Sequence, residues 1–223
     1  MKVAICSDVH GNLPALEQFL ERTSNIDTRV FLGDMVGYCG PFPNRCVSLI
    51  RKNFDYIISG NHDRMVHQER IDDRYLKLPP RLEEGIQMSI DRTDLDTKRY
   101  LRTIPQKHRI NLNNSHALLT HSHPTEKDGY VHAEEFSSLV DIVDVEYVFI
   151  GHTHQQAIRE FDSCSIVNPG SVGAPKKSYS DGNYAVLDDE GDVALKSFTY
   201  DRSRLIKKCD ELGLSDELVD TYG

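Results

Sequence analysis

Apolar residues in this chain follow two rhythms. The opening KVAICSD is a short continuous apolar run of the buried-strand kind, and in the following GNLPALEQFLER the residues Leu13, Leu16, Phe19 and Leu20 recur at helical spacing. Asn12 stands where a helix cap is needed, and Pro14 is tolerated in a first turn whose N–H groups have no intrahelical partner. The same order returns in RVFLGD with a helix from about Asn44 to Lys52, and in FDYIISGNHD with a mainly helical stretch from about Leu82 to Thr103. Such β-α alternation predicts a layered α/β fold. After Pro105 the rhythm changes. Candidate strands stand at HALLTH, EYVFIGHTH, SIVNPGS, NYAVLDD and VALKSFTY, with one helix around Glu134 to Val143. The turn Asp189-Glu190-Gly191-Asp192 predicts a hairpin, so this half should add antiparallel sheet. From Asp201 to Gly223 the pattern gives an amphipathic helix with Leu205, Ile206 and Leu212, then a loose end. No repeat or linker interrupts the chain, and the expectation is one domain over residues 1–223.

Composition narrows the class. At 223 residues and 39% apolar the chain can bury a sizeable core. No apolar run approaches the roughly 18 residues of a membrane span, and the first residues reach Asp8 too early for a signal peptide, so a cytoplasmic protein is expected. Five cysteines form no CxxC pair and are odd in number, which predicts reduced packing thiols. The net charge of −9 disfavours stable nucleic-acid binding, which needs many Lys and Arg on phosphates.

Five predicted strands share one feature: each ends in potential metal ligands followed by a turn. They carry Asp8 and His10, Asp34, Asn61 and His62, His121 and His123, and His152 and His154. In open α/β sheets ligands bind beyond the carboxyl ends of strands, so these groups could converge on one crevice. Asp8 and His10, like His152 and His154, are two apart, and in extended backbone each pair would project to one side and grip one ion. A lone histidine is more often a surface or hydrogen-bonded residue, which is the reading for His67, His108, His116 and His132. Five such strand ends together are a poor match to chance.

The ordered series DVHGN, LGD, GNHD, TH and GHTH, followed by NPGS, resembles the calcineurin-like metallophosphoesterases, in particular their small bacterial and archaeal phosphodiesterase-like members. The likeness runs from Met1 to about Tyr200. It implies an αββα two-sheet sandwich with a dinuclear metal centre among the loops at one end. By the same resemblance Asp8, His10 and His154 would hold one ion and Asn61, His121 and His152 the second, with Asp34 bridging both. Imidazole, carboxylate and amide oxygen suit Mn, Fe, Zn, Ni or Co, with Mn the first choice. Two such ions would also keep the site positive on an acidic protein and draw in an anionic phosphate. The implied reaction is hydrolysis of a phosphodiester or nucleotide-type phosphate bond of a small molecule by a metal-bound hydroxide. His62 resembles the family's non-ligating histidine, which would stabilise the transition state or protonate the leaving alkoxide.

Departures from the family pattern sharpen the reading. The protein-phosphatase branch has GDxVDRG where this chain has Gly33-Asp34-Met35-Val36-Gly37-Tyr38-Cys39-Gly40. Gly37 replaces the Asp that would orient the catalytic histidine, and no Arg follows. His123 stands where relatives carry a small residue. Tyr38, Arg45, His123 and Lys176 are the candidate substrate contacts, with Asn44 and Lys177 nearby. Alternatives are a Ser/Thr protein phosphatase, a dinucleoside polyphosphate hydrolase, and a non-catalytic metal-binding scaffold like a retromer subunit that resembles this family. That scaffold lacks the catalytic histidine, whereas this chain keeps His62 and the complete ligand set.

Overall fold

The computed structural model describes residues 1–38, 40–77, 80–176 and 181–214. Cys39, Lys177 and the tail from 215 to 223 lie outside the described residues. Strands β1 (Val3–Cys6), β2 (Thr28–Phe31), β3 (Tyr56–Ile57), β9 (Asp181–Leu187) and β10 (Val193–Thr199) form one sheet in the order β10-β9-β1-β2-β3. A second sheet, ordered β4-β5-β6-β8-β7, holds β4 (Lys107–Leu112), β5 (Ser115–Thr120), β6 (Tyr147–Ile150), β7 (Gln156–Glu160) and β8 (Ser165–Pro169). Both sheets are mixed. β1 runs parallel to β2 and antiparallel to β9, and β6 runs parallel to β5 and β8. The β9–β10 hairpin forms around the Asp189–Asp192 turn as its sequence predicts.

The period-two alternation of a strand, with both faces covered, explains why VAIC is apolar throughout. Val3 and Ile5 point into the core between the sheets, with Leu119, Phe149 and Val167 of the facing sheet. Ala4 and Cys6 point the other way, toward Leu16 and Phe19 of α1 (Leu13–Arg22) and Ile50 of α2 (Pro43–Asn53). The same outer layer contains α3 (Asn61–Gln68), α4 (Pro80–Arg92) and α5 (Leu95–Leu101) through Met65, Ile86 and Leu101. Phe136 and Leu139, at the start of and within α6 (Ser137–Val140), cover the outer face of the second sheet with Val148 and Ile166. The result is the helix-sheet-sheet-helix sandwich that the family resemblance implies. Phe149 is fully buried between the sheets, and its replacement by Ala is expected to cost about 3–5 kcal/mol. A chemical-denaturation midpoint that does not move would show that this interface does not hold the sheets together.

Asn12 caps α1 as its position suggests: its Oδ1 accepts the Ala15 N–H at 3.2 Å, and its amide donates to the Gly173 carbonyl at 2.9 Å. Several expectations need correction. The stretch from 82 to 103 is two helices, because Asp94 leaves the helical conformation and caps α5 by accepting the Thr97 N–H at 2.7 Å. The helix around 134–143 contracts to a 3-10 turn and the four residues of α6. β4 and β7 have no apolar run in KHRINL and QAIRE, because they are the two edges of the second sheet, where charge discourages pairing with another chain. α3 is too polar to read as a helix face, since Asn61, His62 and Asp63 are buried in its first turn and Asp63 accepts N–H groups of the loop after β2. α7 (Ser203–Glu211) is the expected amphipathic helix, with Leu205 and Cys209 inward. Cys6, Cys46, Cys164 and Cys209 are buried free thiols. No described helix is long and apolar enough to cross a membrane.

Candidate metal centre

All of the predicted strand-end groups except His123 meet at the carboxyl ends of β1, β2, β5 and β6 and the first turn of α3. Asp8, His10, Asp34, Asn61, His62, His121, His152 and His154 are all buried, none more than 8% exposed. The extended backbone expected for the Asp8/His10 and His152/His154 pairs is not what brings them there. Asp8, His10, Asp34, His152 and His154 all have left-handed backbones, with φ of 58°, 51°, 61°, 69° and 59°. L residues adopt this region rarely, although Asp and His are enriched there, and such clusters mark sites whose surroundings over-determine the conformation. The surroundings are visible. The N–H groups of Val9 and His10 donate to the Asp34 carbonyl, the Gly173 N–H and the Ser171 hydroxyl donate to the Asp8 carbonyl, and the Asn168 amide donates to the Gly151 carbonyl.

The hydrogen bonds behind the imidazoles decide what their inner faces offer. His121 Nδ1 lies 2.8 Å from the Leu32 carbonyl and His154 Nδ1 lies 2.7 Å from the Ala174 carbonyl. A carbonyl only accepts, so each neutral ring carries its proton on Nδ1 and turns an Nε2 lone pair inward. There it meets other lone pairs. His121 Nε2 is 3.1 Å from Asp34 Oδ2 and 3.0 Å from Asn61 Oδ1, while His154 Nε2 is 3.2 Å from Asp8 Oδ1 and 3.1 Å from His10 Nε2. Asp34 Oδ2 also lies 3.9 Å from His10 Nε2, between the two groups. Asp8 Oδ1, Asp34 Oδ2 and His152 Nε2 are buried without a hydrogen-bond partner among the described residues. Acceptors packed face to face in a dry interior repel one another unless a cation lies among them, and imidazole, carboxylate and amide oxygen are a donor set that fits a divalent transition ion.

Proton affinities follow from the same packing. Burial alone would raise the Asp8 and Asp34 carboxyls, but the surrounding histidines outweigh it and hold both below the ordinary carboxylate range. Burial lowers His121, yet Asp34 and Asp8 reverse the sign and carry it up to about 9. A metal ion competes with protons for such lone pairs. Burial, reinforced by His121, brings His152 down to about 4, so it is neutral and ready to ligate.

His62 sits differently. Its backbone N–H donates to Asp34 Oδ1 at 2.9 Å, its Nε2 is 3.3 Å from the Tyr75 hydroxyl, and its Nδ1 is buried with no partner among the described residues. Burial brings it down to about 3. Gly37 has φ of 82°, and a Cβ on it would stand 2.6 Å from His62 Nδ1, so no side chain can occupy the position from which an Asp would orient the ring. Two further groups were not legible as functional. Asp63 accepts the N–H groups of Asp34 (2.8 Å), Met35 (2.9 Å) and Gly60 (3.0 Å), tying the β2 loop to the first turn of α3. An acidic residue at the third position of a helix was the available signal. Tyr130 stacks on His152 with ring centroids 4.0 Å apart while 52% exposed, and nothing local in its sequence announces this.

The candidate substrate contacts scatter. Tyr38 lies 4.9 Å from the His10 ring and 5.7 Å from that of His62, at the mouth of the centre. Lys176 is exposed beside it, its backbone N–H 3.5 Å from the His154 carbonyl. His123 turns Nδ1 to the N–H groups of Thr125 (3.2 Å) and Glu126 (3.1 Å), which holds the turn after β5. Arg45 is exposed on α2 and lines another cavity with Asn44, Pro41 and Asp91.

A family model described as the calcineurin-like phosphoesterase superfamily domain matches residues 1–192. The chain belongs to this superfamily. A calcineurin-like phosphoesterase is a metal-dependent hydrolase, and the divalent ions that the family uses fit the inward-facing donors described above. An uncharacterized protein of Methanocaldococcus jannaschii is 26% identical over 241 residues, covering 99% of this chain and 95% of that protein. The crystal structure of a metallophosphoesterase from Sphaerobacter thermophilus superposes with a TM-score of 0.83 at 25% identity, over 100% of this chain and 98% of the other. A hypothetical protein from Pyrococcus horikoshii shares the fold with a TM-score of 0.88 at 19% identity, over 99% and 97%.

Proposed function

We propose that this phosphoesterase is a dinuclear-metal enzyme that cleaves phosphodiester or nucleotide-type phosphate bonds of small molecules. The observation that carries the reading is the position of Asp34 Oδ2 between His121 Nε2 (3.1 Å) and His10 Nε2 (3.9 Å), with donors grouped on either side. Asp8, His10 and His154 would hold one ion, Asn61, His121 and His152 the other, and Asp34 both. Two divalent ions there, with Mn the first choice, would supply Lewis acidity toward phosphate oxygens and an acidified water. The protein's own part is to hold the donors together, exclude bulk water, and offer His62 Nδ1 to a phosphate or leaving oxygen. The reading includes one domain and a cytoplasmic location.

Substrate class follows from the β2 loop and the adjoining cavity. A monoester dianion carries more charge than a diester and gains more from a bidentate guanidinium, which the GDMVGYCG loop lacks. Beside Asn61 and Tyr75 lies a cavity of about 300 Å³ lined by Arg64, Arg70, Arg74 and Lys127, roomy enough for the non-reacting half of a diester or nucleotide. Arg64 and Arg74 are partly neutralised by Asp128, and Arg70 by Asp73, so this wall suits polar, weakly anionic groups. The test is kcat/KM for bis-p-nitrophenyl phosphate, p-nitrophenyl phosphate, a dinucleoside polyphosphate and a phosphopeptide under one Mn condition. The diester or the polyphosphate is expected to lead. A preference for the phosphopeptide would make protein phosphatase the better reading, and no turnover of any of them by the metal-loaded protein would favour the scaffold.

A further inference from the structure

We propose that Tyr75 is the positioning residue for His62: its hydroxyl donates to Nε2, fixing the Nδ1–H tautomer and leaving Nδ1–H as a hydrogen-bond donor to the reacting phosphate. This rests on the phosphoesterase reading above and deepens it. The argument is an accounting of donors and acceptors. His121 gives its Nδ1 proton to the Leu32 carbonyl, so its Nε2 and the neighbouring Asn61 Oδ1, 3.0 Å away, both face the centre as acceptors. With Asn61 Oδ1 turned to the centre as a ligand atom, as the proposed function has it, its Nδ2 donates to the Tyr75 hydroxyl at 2.7 Å. The Tyr130 hydroxyl lies beside the same oxygen. A phenol oxygen approached by a donor sends its own proton elsewhere, and of its two neighbouring acceptors, the Tyr130 oxygen and His62 Nε2 at 3.3 Å, the proposal assigns it to His62. With Nε2 accepting, the ring proton resides on Nδ1, the buried atom with no protein partner among the described residues.

Geometry gives this arrangement a reason. The position before Tyr38 can hold nothing larger than Gly37, whose missing Cβ would lie 2.6 Å from the His62 ring, so the orienting group has to come from another element. It comes from the 3-10 turn Tyr75–Lys77, and Tyr75 is 7% exposed, packed edge-on to His62 with ring centroids 5.2 Å apart. A hydroxyl donor differs from a carboxylate acceptor in consequence: it favours a neutral imidazole that stabilises charge by hydrogen bonding, with no proton transferred and no bond made or broken at His62.

Tyr75→Phe keeps the ring and removes only the hydroxyl. Expected are an unchanged metal content, KM close to the parent's and kcat lower by roughly 10- to 100-fold, the usual effect of losing a group that orients an active-site side chain. In a His62→Ala background the same substitution should change kcat no further. Nitrogen-15 NMR of histidine-labelled, zinc-loaded protein should place the His62 proton on Nδ1 in the parent and show mixed tautomers in Tyr75→Phe. The proposal is overturned if the parent carries the proton on Nε2, if Tyr75→Phe turns over like the parent, if it loses metal, or if its effect persists without His62. Should the parent hydrolyse no phosphate ester, the functional reading fails while the NMR result still decides the tautomer.

Discussion

His62→Ala is expected to keep both metal ions and to lose roughly 10²- to 10³-fold in kcat, the usual cost of removing one transition-state hydrogen-bond donor. Metals should stay because His62 contributes to their cage through its backbone: the N–H that orients Asp34 Oδ1 at 2.9 Å survives the substitution. Turnover should fall because Nδ1 has no protein partner among the described residues, and KM should change little if that contact forms only as charge builds on the phosphate. With a neutral ring, the loss should be similar for nitrophenolate and for an alkoxide leaving group. Steady-state kinetics over a leaving-group series, with elemental analysis of each preparation, checks this. A loss that grows with leaving-group basicity would make His62 a proton donor, and parent-like turnover would remove it from the reaction.

Asp34→Ala should empty both metal positions, whereas His10→Ala should leave about one ion per chain. The asymmetry comes from geometry, since Asp34 Oδ2 stands between His121 on one side and His10 on the other, while His10 joins Asp8 and His154 in one group and Asp34 and His62 in another, neither of which contains His121 or His152. Losing a carboxylate shared by two cations removes attraction from each, and the remaining Asp8 cannot neutralise both. Equilibrium dialysis against Mn followed by elemental analysis measures the stoichiometry directly. One tightly held ion in Asp34→Ala would rule out a bridging role. The melting temperature gives a second reading: Mn should raise it in the parent and much less in this variant, because ligand bound to the native state alone stabilises it by mass action.

Strand β1 was readable because it is buried on both faces and therefore continuously apolar over Val3–Cys6. β4 and β7 were not, because an edge strand is half exposed and carries the charges of Lys107, Arg109, Arg159 and Glu160. The break between α4 and α5 hid because apolar spacing continues across it, and only the capping of Asp94 reveals it.

The sequence by itself determined the family and the groups that meet at the centre, because His, Asp and Asn at the ends of successive strands must gather wherever those strands align. It also determined the absence of an Asp at position 37. Only the tertiary structure decided what stands behind those groups. Tyr75 reaches Asn61 and His62, Asp63 gathers N–H groups from the β2 loop, and Ser171 holds the carbonyl of Asp8 at 2.7 Å. It also replaced the extended backbone expected for Asp8 and His10 with left-handed turns. Periodicity records which face of an element is buried against its neighbours. It carries nothing about a single hydroxyl or carboxylate that meets its partner across a loop, since such contacts depend on how whole elements are placed.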